Sequence, residues 1–291
     1  MTKQVNLLYH EKANEFREAL TSASTIPGFS SRLIEKDYYC SLILHDFEPL
    51  FQQGIVFKGG TCLSKIHAGF YRLSEDLDFA FSIEPDAKPS NRRNMMKPVK
   101  NHIKELCIRQ SCFSLKDSLI GHNNSKQYVG RYSYNSVISG ENEFIKIEIG
   151  LREQILEPVK ECKALTILTN PFRDEPAILP VSVNALTMRE AYAEKFRAAM
   201  TRRIPTIRDF YDIDYAIRTG KLDTAETKLL ELVRHKLAVP DNDPIDISGE
   251  KLSTLRTQLE TQLKPVLRNS DYESFDLDRA FDIVKKLRDS L

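Results

Sequence analysis

Two short segments carry side chains whose types and spacing suit phosphate chemistry: Lys58-Gly59-Gly60-Thr61 and Ser74-Glu75-Asp76-Leu77-Asp78. On an extended strand residues i and i+2 share a face, so Asp76 and Asp78 emerge together while Leu77 turns to the core. Two carboxylates side by side repel unless a cation joins them. Mg²⁺ or Mn²⁺ suits such a pair, because these ions prefer oxygen and complete their shells with water and phosphate. Gly54-Ile55-Val56-Phe57-Lys58 reads as a buried strand, and Thr61 to Ala68 as a short helix. A strand that breaks at Gly-Gly and runs into a helix offers backbone N–H groups to phosphate oxygens. Thr61 and Ser74 add hydroxyls. Taken singly, a DxD is more often an acidic turn and Gly-Gly a plain one; their closeness in the chain favours the ligand reading.

A phosphoryl transfer clamped by two metal ions calls for a third carboxylate. Glu148 fits, in Phe144-Ile145-Lys146-Ile147-Glu148-Ile149, where alternation sets Lys146 and Glu148 on one face and the isoleucines on the other. The competing reading is a half-exposed strand with an ion pair. A ligand role requires this strand to lie beside that of Asp76.

The elements that must position these groups fall into two parts. Asn6 to Ser22 and Ser31 to Phe51 read as amphipathic helices separated by a Pro27-Gly28 turn. Asp76 to Ser82 reads as a second strand, Pro89 to Cys112 as a basic helix, and Phe113 to Leu151 as strands. Pro158 to Pro180 is irregular and serves as the connection. Beyond it, Thr187–Arg202, Ile207–Arg218, Asp223–His235, Lys251–Leu263 and Asp276–Leu291 all read as helices. The expected fold is α/β (α+β): a mixed β-sheet core flanked by helices over residues 1–180, then a C-terminal helical bundle over 181–291 that completes an active-site cleft. At 291 residues, 41% hydrophobic and 29% charged, the chain has the composition of an ordinary globular protein. No apolar run is long enough to span a bilayer, and Met1 to Asn6 lacks a secretory pattern, so a cytoplasmic location is expected. Five cysteines without a CxxC pair read as reduced, mostly buried thiols rather than a zinc site.

The stretch VFKGGTCLSKIHAGFYRLSEDLDFAF resembles the signature of the AbiEii/AbiGii toxin nucleotidyltransferases, which include the MenT toxins and belong to the DNA polymerase β-like nucleotidyltransferase superfamily. The resemblance implies a metal and nucleotide site in which Arg72, Ser74, Asp76 and Asp78 fill an R-x-S-x-D-x-D pattern, with Lys58, Gly59, Gly60 and Thr61 at the nucleotide. TMREAYAEKFRAAMTRRIPTIRDFYDI is similar to the family's downstream segment. By position, Lys195 would contact nucleotide phosphates and Asp209 would complete the catalytic set. The similarity spans roughly residues 30 to 220, with two specific anchors. Without the family, the Lys195 segment is an amphipathic helix with a cationic face.

The resemblance further implies a nucleoside triphosphate as substrate, a cognate antitoxin, and an acceptor at the 3′ end of tRNA. Lys88 to Arg131 is rich in Lys and Arg, which favours a polyanion, and Tyr128, Tyr132 and Tyr134 could stack on unpaired bases. The alternative is a solvated basic helix with core tyrosines. Transfer to protein hydroxyls or small molecules, and a non-catalytic nucleic-acid-binding module of the same fold, are the competing functions.

Overall fold

The computed structural model describes residues 8–25, 28–170 and 175–291. Asn6 and Pro27, at the start of the first expected helix and in the turn after it, lie outside the described residues, as does 171–174 within the expected connection. The chain divides into two compact units: Met1–Ile155 with Val159–Ala185, and Leu156–Pro158 with Leu186–Leu291. No helix among the described residues is long and apolar enough to cross a membrane.

The first unit is built on a seven-stranded mixed sheet ordered β3-β4-β5-β2-β1-β7-β6. A 3₁₀ turn at Tyr9–Glu11 precedes helices α1 (Ala13–Thr25), α2 (Ser31–Asp46) and α3 (Glu48–Phe51). Strand β1 (Ile55–Lys58), the single turn α4 (Gly59–Cys62), a π-helical turn (Leu63–His67) and β2 (Leu77–Phe81) follow. Then come α5 (Pro89–Lys104), α6 (Leu106–Arg109), β3 (Ser114–His122), β4 (Gln127–Asn135), β5 (Asn142–Gly150), β6 (Lys160–Ala164) and β7 (Val181–Ala185). Two of these correct the sequence reading. Lys160–Ala164 is a strand inside the stretch expected to be irregular, and Val181–Ala185, expected in the helical part, is its antiparallel partner. β6 escapes detection because it is an edge strand, and edge strands carry charge where core strands carry apolar residues.

Register divides the central sheet into two faces. Phe57 pairs with Phe79, Leu77 with Ile147 and Tyr128 with Ile149, so aromatic and branched residues share one side. That side is covered by helices: Phe47 lies 5.5 Å from Phe79, Tyr39 of α2 stacks on Tyr134 at 4.0 Å, and Tyr132 O–H donates to the Ile103 carbonyl of α5. Tyr128, Tyr132 and Tyr134 are at most 3% exposed. They are core residues, each worth roughly 1.5–3 kcal/mol of burial, and are closed to nucleobases. The same packing sets α5 behind the sheet. Several cations of this region are also committed: Arg92 donates to Leu151 and Pro85 carbonyls, Arg109 pairs with Asp46, and Arg131 with Asp117.

In the second unit, α7 (Met188–Thr201), α8 (Ile207–Arg218), α9 (Thr227–Leu237), α10 (Gly249–Thr257), α11 (Asn269–Glu273) and α12 (Leu277–Asp289) form a helical bundle. Thr187 caps α7, and buried Glu190 accepts from the amides of Leu156 and Glu157 while pairing with Lys236 at 2.7 Å. Arg279 grips Asp214 through two hydrogen bonds of 2.7 and 2.9 Å, and Phe210 stacks on Phe281, so α12 is tied to α8 by charge and packing together. The five cysteines are free thiols; Cys40 and Cys62 are buried and the other three half-buried.

Candidate active site

Strand β2 starts at Leu77, and its neighbours bring the predicted acids together on the face opposite the aromatic one. Asp78 pairs in register with Lys58 of β1 on one side and with Glu148 of the parallel strand β5 on the other. Because paired residues point the same way across a sheet, Lys58, Asp78 and Glu148 form a row. The condition set for Glu148, that its strand border that of the acidic pair, is met. Lys146, on the same face, reaches both Glu148 (3.2 Å) and Asp76 (3.6 Å). Burial and then the Glu148 charge push the Asp78 carboxyl up to about 6, against the pull of Lys146. Crowding of this kind is what a divalent cation relieves, and an ammonium already stands among the acids; the donor set fits a hard cation. Among the described residues no group of three or more His, Cys, Asp or Glu is arranged to hold a metal ion by itself. Mg²⁺ does not need such a group, since one or two carboxylates, waters and phosphate oxygens are its usual shell.

The Gly-Gly turn is shaped by the protein's own groups. Gly59 has φ +76°, and a Cβ there would come within 2.9 Å of the Asp78 Cβ and into its carboxylate. A Cβ on Gly60 would meet Arg72 Nη2 at 2.5 Å and Ser74 Oγ at 3.0 Å. The glycines therefore let β1 turn tightly beneath Asp78 and against the Arg72–Ser74 strand of chain. Two expected ligand groups are placed differently from the sequence reading. Thr61 is 1% exposed and its hydroxyl donates to the Asp76 carbonyl, so it staples the turn to the acidic segment. Arg72 is 2% exposed, packed against Gly60 and donating to the Leu73 carbonyl. Both anchor the site from within. Ser74 is half-buried beside Gly60.

Three supporting groups were not singled out from sequence. Ser64 Oγ donates to the Arg72 carbonyl (2.6 Å). Lys65, fully buried, pairs with Asp37 at 2.6 Å and donates to Ser41, fixing the helical segment after the turn on α2. Gln127 Nε2 donates to Glu148 Oε1 (2.6 Å) from the neighbouring β4. Strand alternation signals the Gln127 position only once the pairing is known.

In the second unit the predicted residues Lys195 and Asp209 meet. Lys195 Nζ lies 2.8 Å from Asp209 and 2.9 Å from Asp212, both buried, and Arg202 reaches the other Asp209 oxygen at 2.8 Å. Burial alone would raise the Asp209 pKa, but Lys195 and Arg202 outweigh it and hold the carboxyl below its usual range.

A mixed sheet presenting carboxylates from two neighbouring strands beside a Gly-Gly turn defines a fold and site of the nucleotidyltransferase class. The family model described as nucleotidyl transferase AbiEii toxin, Type IV TA system, matches residues 42–284, and the chain belongs to that family. It is a nucleotidyltransferase, and membership implies a nucleoside triphosphate substrate and a cognate antitoxin. The fold is similar to that of MenT4, a nucleotidyltransferase toxin from Mycobacterium tuberculosis H37Rv. Identity there is 17% and the TM-score 0.53, over 96% of this chain and 98% of that one. JHP933 from Helicobacter pylori is also similar, at 15% identity and TM-score 0.46 over 96% and 91% of the two chains. No curated protein matches.

Proposed function

We propose that the chain transfers a nucleoside monophosphate to the 3′ end of tRNA, in the cytoplasm, with Mg²⁺ or Mn²⁺. The observation that carries the transfer reading is the register setting Asp78 beside Glu148, with Asp76 and Lys146 joined to them by ion pairs. Asp76, Asp78 and Glu148 would hold the ion, which when bound supplies positive charge at the triphosphate. Lys58, the backbone at Gly59 and Gly60, and Ser74 meet phosphate oxygens; Thr61 and Arg72 hold that turn in place. Within the second unit Asp209 orients Lys195, the cation that the family resemblance assigns to phosphate charge. An acceptor hydroxyl attacks the α-phosphorus, forming a new O–P bond. The bond to the β-phosphate oxygen breaks, and pyrophosphate leaves with the electron pair. The hydroxyl proton passes to solvent water. Positioning and charge neutralisation supply most of the acceleration in such reactions. The tRNA acceptor rests on the resemblance to MenT toxins.

The test is incubation of the protein with α-labelled nucleoside triphosphates, divalent ion and total RNA. Label is expected at tRNA 3′ ends and absent with Asp76→Asn or Asp78→Asn, both retaining the wild-type melting profile. Label on protein or a small molecule instead would overturn the RNA acceptor, and full activity in either variant would overturn the site.

A further inference from the structure

Glu148 has both carboxylate oxygens engaged. Oε1 accepts from Gln127 at 2.6 Å, and Oε2 accepts from Lys146 at 3.2 Å. The same ammonium stands 3.6 Å from Asp76 Oδ2. The neighbour of Lys146 across the ladder, Arg131, is turned to Asp117 at 2.6 Å, which leaves Lys146 as the cation that bridges these acids from β5. The Lys146 side chain is 36% exposed, so its ammonium can withdraw to solvent by rotation about its own stem, without opening the core. Gln127, being neutral, does not compete for charge.

These contacts set up a competition. A divalent ion bound by Asp76 and Glu148 would take oxygens that Lys146 now holds, and two cations at one set of carboxylates repel. We propose that Lys146 is the resident counter-cation of this face: it bridges Asp76 and Glu148 until it gives way to a divalent ion, and thereby limits ion binding by the nucleotide-free protein. A triphosphate brings negative charge that offers the released ammonium a new partner, so the penalty shrinks when nucleotide is present. Lys146 is in this sense a positioning residue that couples ion entry to nucleotide entry. The proposal rests on Asp76, Asp78 and Glu148 being the ion's ligands.

The experiment is Mn²⁺ titration, followed by electron paramagnetic resonance, of the full chain without nucleotide. The proteins compared are wild type, Lys146→Met, Lys146→Arg and Asp78→Asn, each checked by thermal melting in EDTA. Lys146→Met should bind Mn²⁺ about tenfold more tightly, the scale of removing one half-buried unit charge beside the ligands. Lys146→Arg, which keeps the cation, should stay within about twofold of wild type. A non-hydrolysable triphosphate analogue should narrow the gap between Lys146→Met and wild type. Unchanged or weaker Mn²⁺ binding by Lys146→Met, with Asp78→Asn binding lost, overturns the counter-cation role alone. Wild-type Mn²⁺ binding by Asp78→Asn overturns the ligand assignment and this proposal with it.

Discussion

Gly59 offers a perturbation whose effect can be worked out from two distances and an angle. Its φ is +76°, and a methyl group there would sit 2.9 Å from the Asp78 Cβ as well as against the carboxylate. Gly69 has nearly the same backbone, φ +68°, but a Cβ there meets nothing within 4 Å. Both Gly→Ala substitutions therefore carry a similar left-handed backbone cost of about 1 kcal/mol. For a chain of this size that lowers Tm by about 2–4 °C. Only Gly59→Ala also forces Asp78 to retreat, by roughly 0.6 Å, to regain an ordinary carbon–carbon separation near 3.5 Å. Misplacing a reacting group by ~1 Å costs up to ~100-fold, so a ~0.6 Å retreat should lower transfer by Gly59→Ala ~10- to 15-fold while Gly69→Ala keeps wild-type activity per folded molecule. Divalent-dependent pyrophosphate release from nucleoside triphosphate, normalised to folded protein, is the assay. If the two variants melt alike and also turn over alike, Asp78 is not where the chemistry requires a fixed carboxylate, and the site reading fails.

Thr61→Val removes the hydroxyl that ties the turn to the Asp76 carbonyl; it should cost about 1 kcal/mol of stability and lower kcat about tenfold with nucleotide affinity unchanged. Lost nucleotide affinity with an unchanged Tm would place that hydroxyl on the phosphates after all. Asp209→Asn should cost about 2 kcal/mol at pH 7, less than a fully broken buried pair because Lys195 keeps Asp212 at 2.9 Å. The Asp209 carboxyl is held below its usual range, so its contribution is present above the unfolded value near about 4 and disappears as pH falls through the folded one. Urea unfolding between neutral and acid pH should accordingly show a shallower acid loss in Asp209→Asn than in wild type; parallel curves would contradict the assignment. Lys97→Glu with Lys104→Glu, on the helix behind the sheet, should leave RNA-dependent transfer within about twofold, whereas Lys116→Glu should weaken RNA binding about tenfold, as filter binding at fixed salt would measure.

What the sequence discloses of this site follows from how local the physics is. Asp76-Leu77-Asp78 could be read because strand alternation depends on neighbouring residues alone, and Leu77 is indeed fully buried between two half-exposed acids. The helices after Leu186 could be read for the same reason, their apolar period being local. Pairing between β2 and β5 could not: it joins distant segments, so Glu148 was found by its strand pattern but not its neighbour, and Gln127 not at all. Thr61 shows a different limit. A hydroxyl beside Gly-Gly looks like a phosphate ligand in sequence, and only the fold shows it turned inward to Asp76. Tyr128, Tyr132 and Tyr134 share strand parity, which argues for one common face, yet parity does not say which face the helices cover. Burial decides it.

That decision bears directly on how an acceptor is held. Basic residues clustered in sequence between Lys88 and Arg131 suggest one positive surface, but the sheet splits them. Those on α5 stand behind it, because Tyr132 and its neighbours bind that helix to the isoleucine face. Arg131 pairs with Lys146, and Lys116 extends over the Phe144 ring at 5.8 Å, which places all three on the side of Asp78 and Glu148. A phosphate backbone attracted to α5 would be screened from the carboxylates by the thickness of the sheet, and screening acts over ~8–10 Å at ordinary salt. Charge that steers an acceptor must lie on the face where its hydroxyl reacts. On that face the acids at the centre repel a polyanion unless neutralised, so acceptor affinity should depend on the divalent ion even with the triphosphate absent. The carboxylate face, rather than the basic helix, is therefore where acceptor recognition and ion binding become one problem.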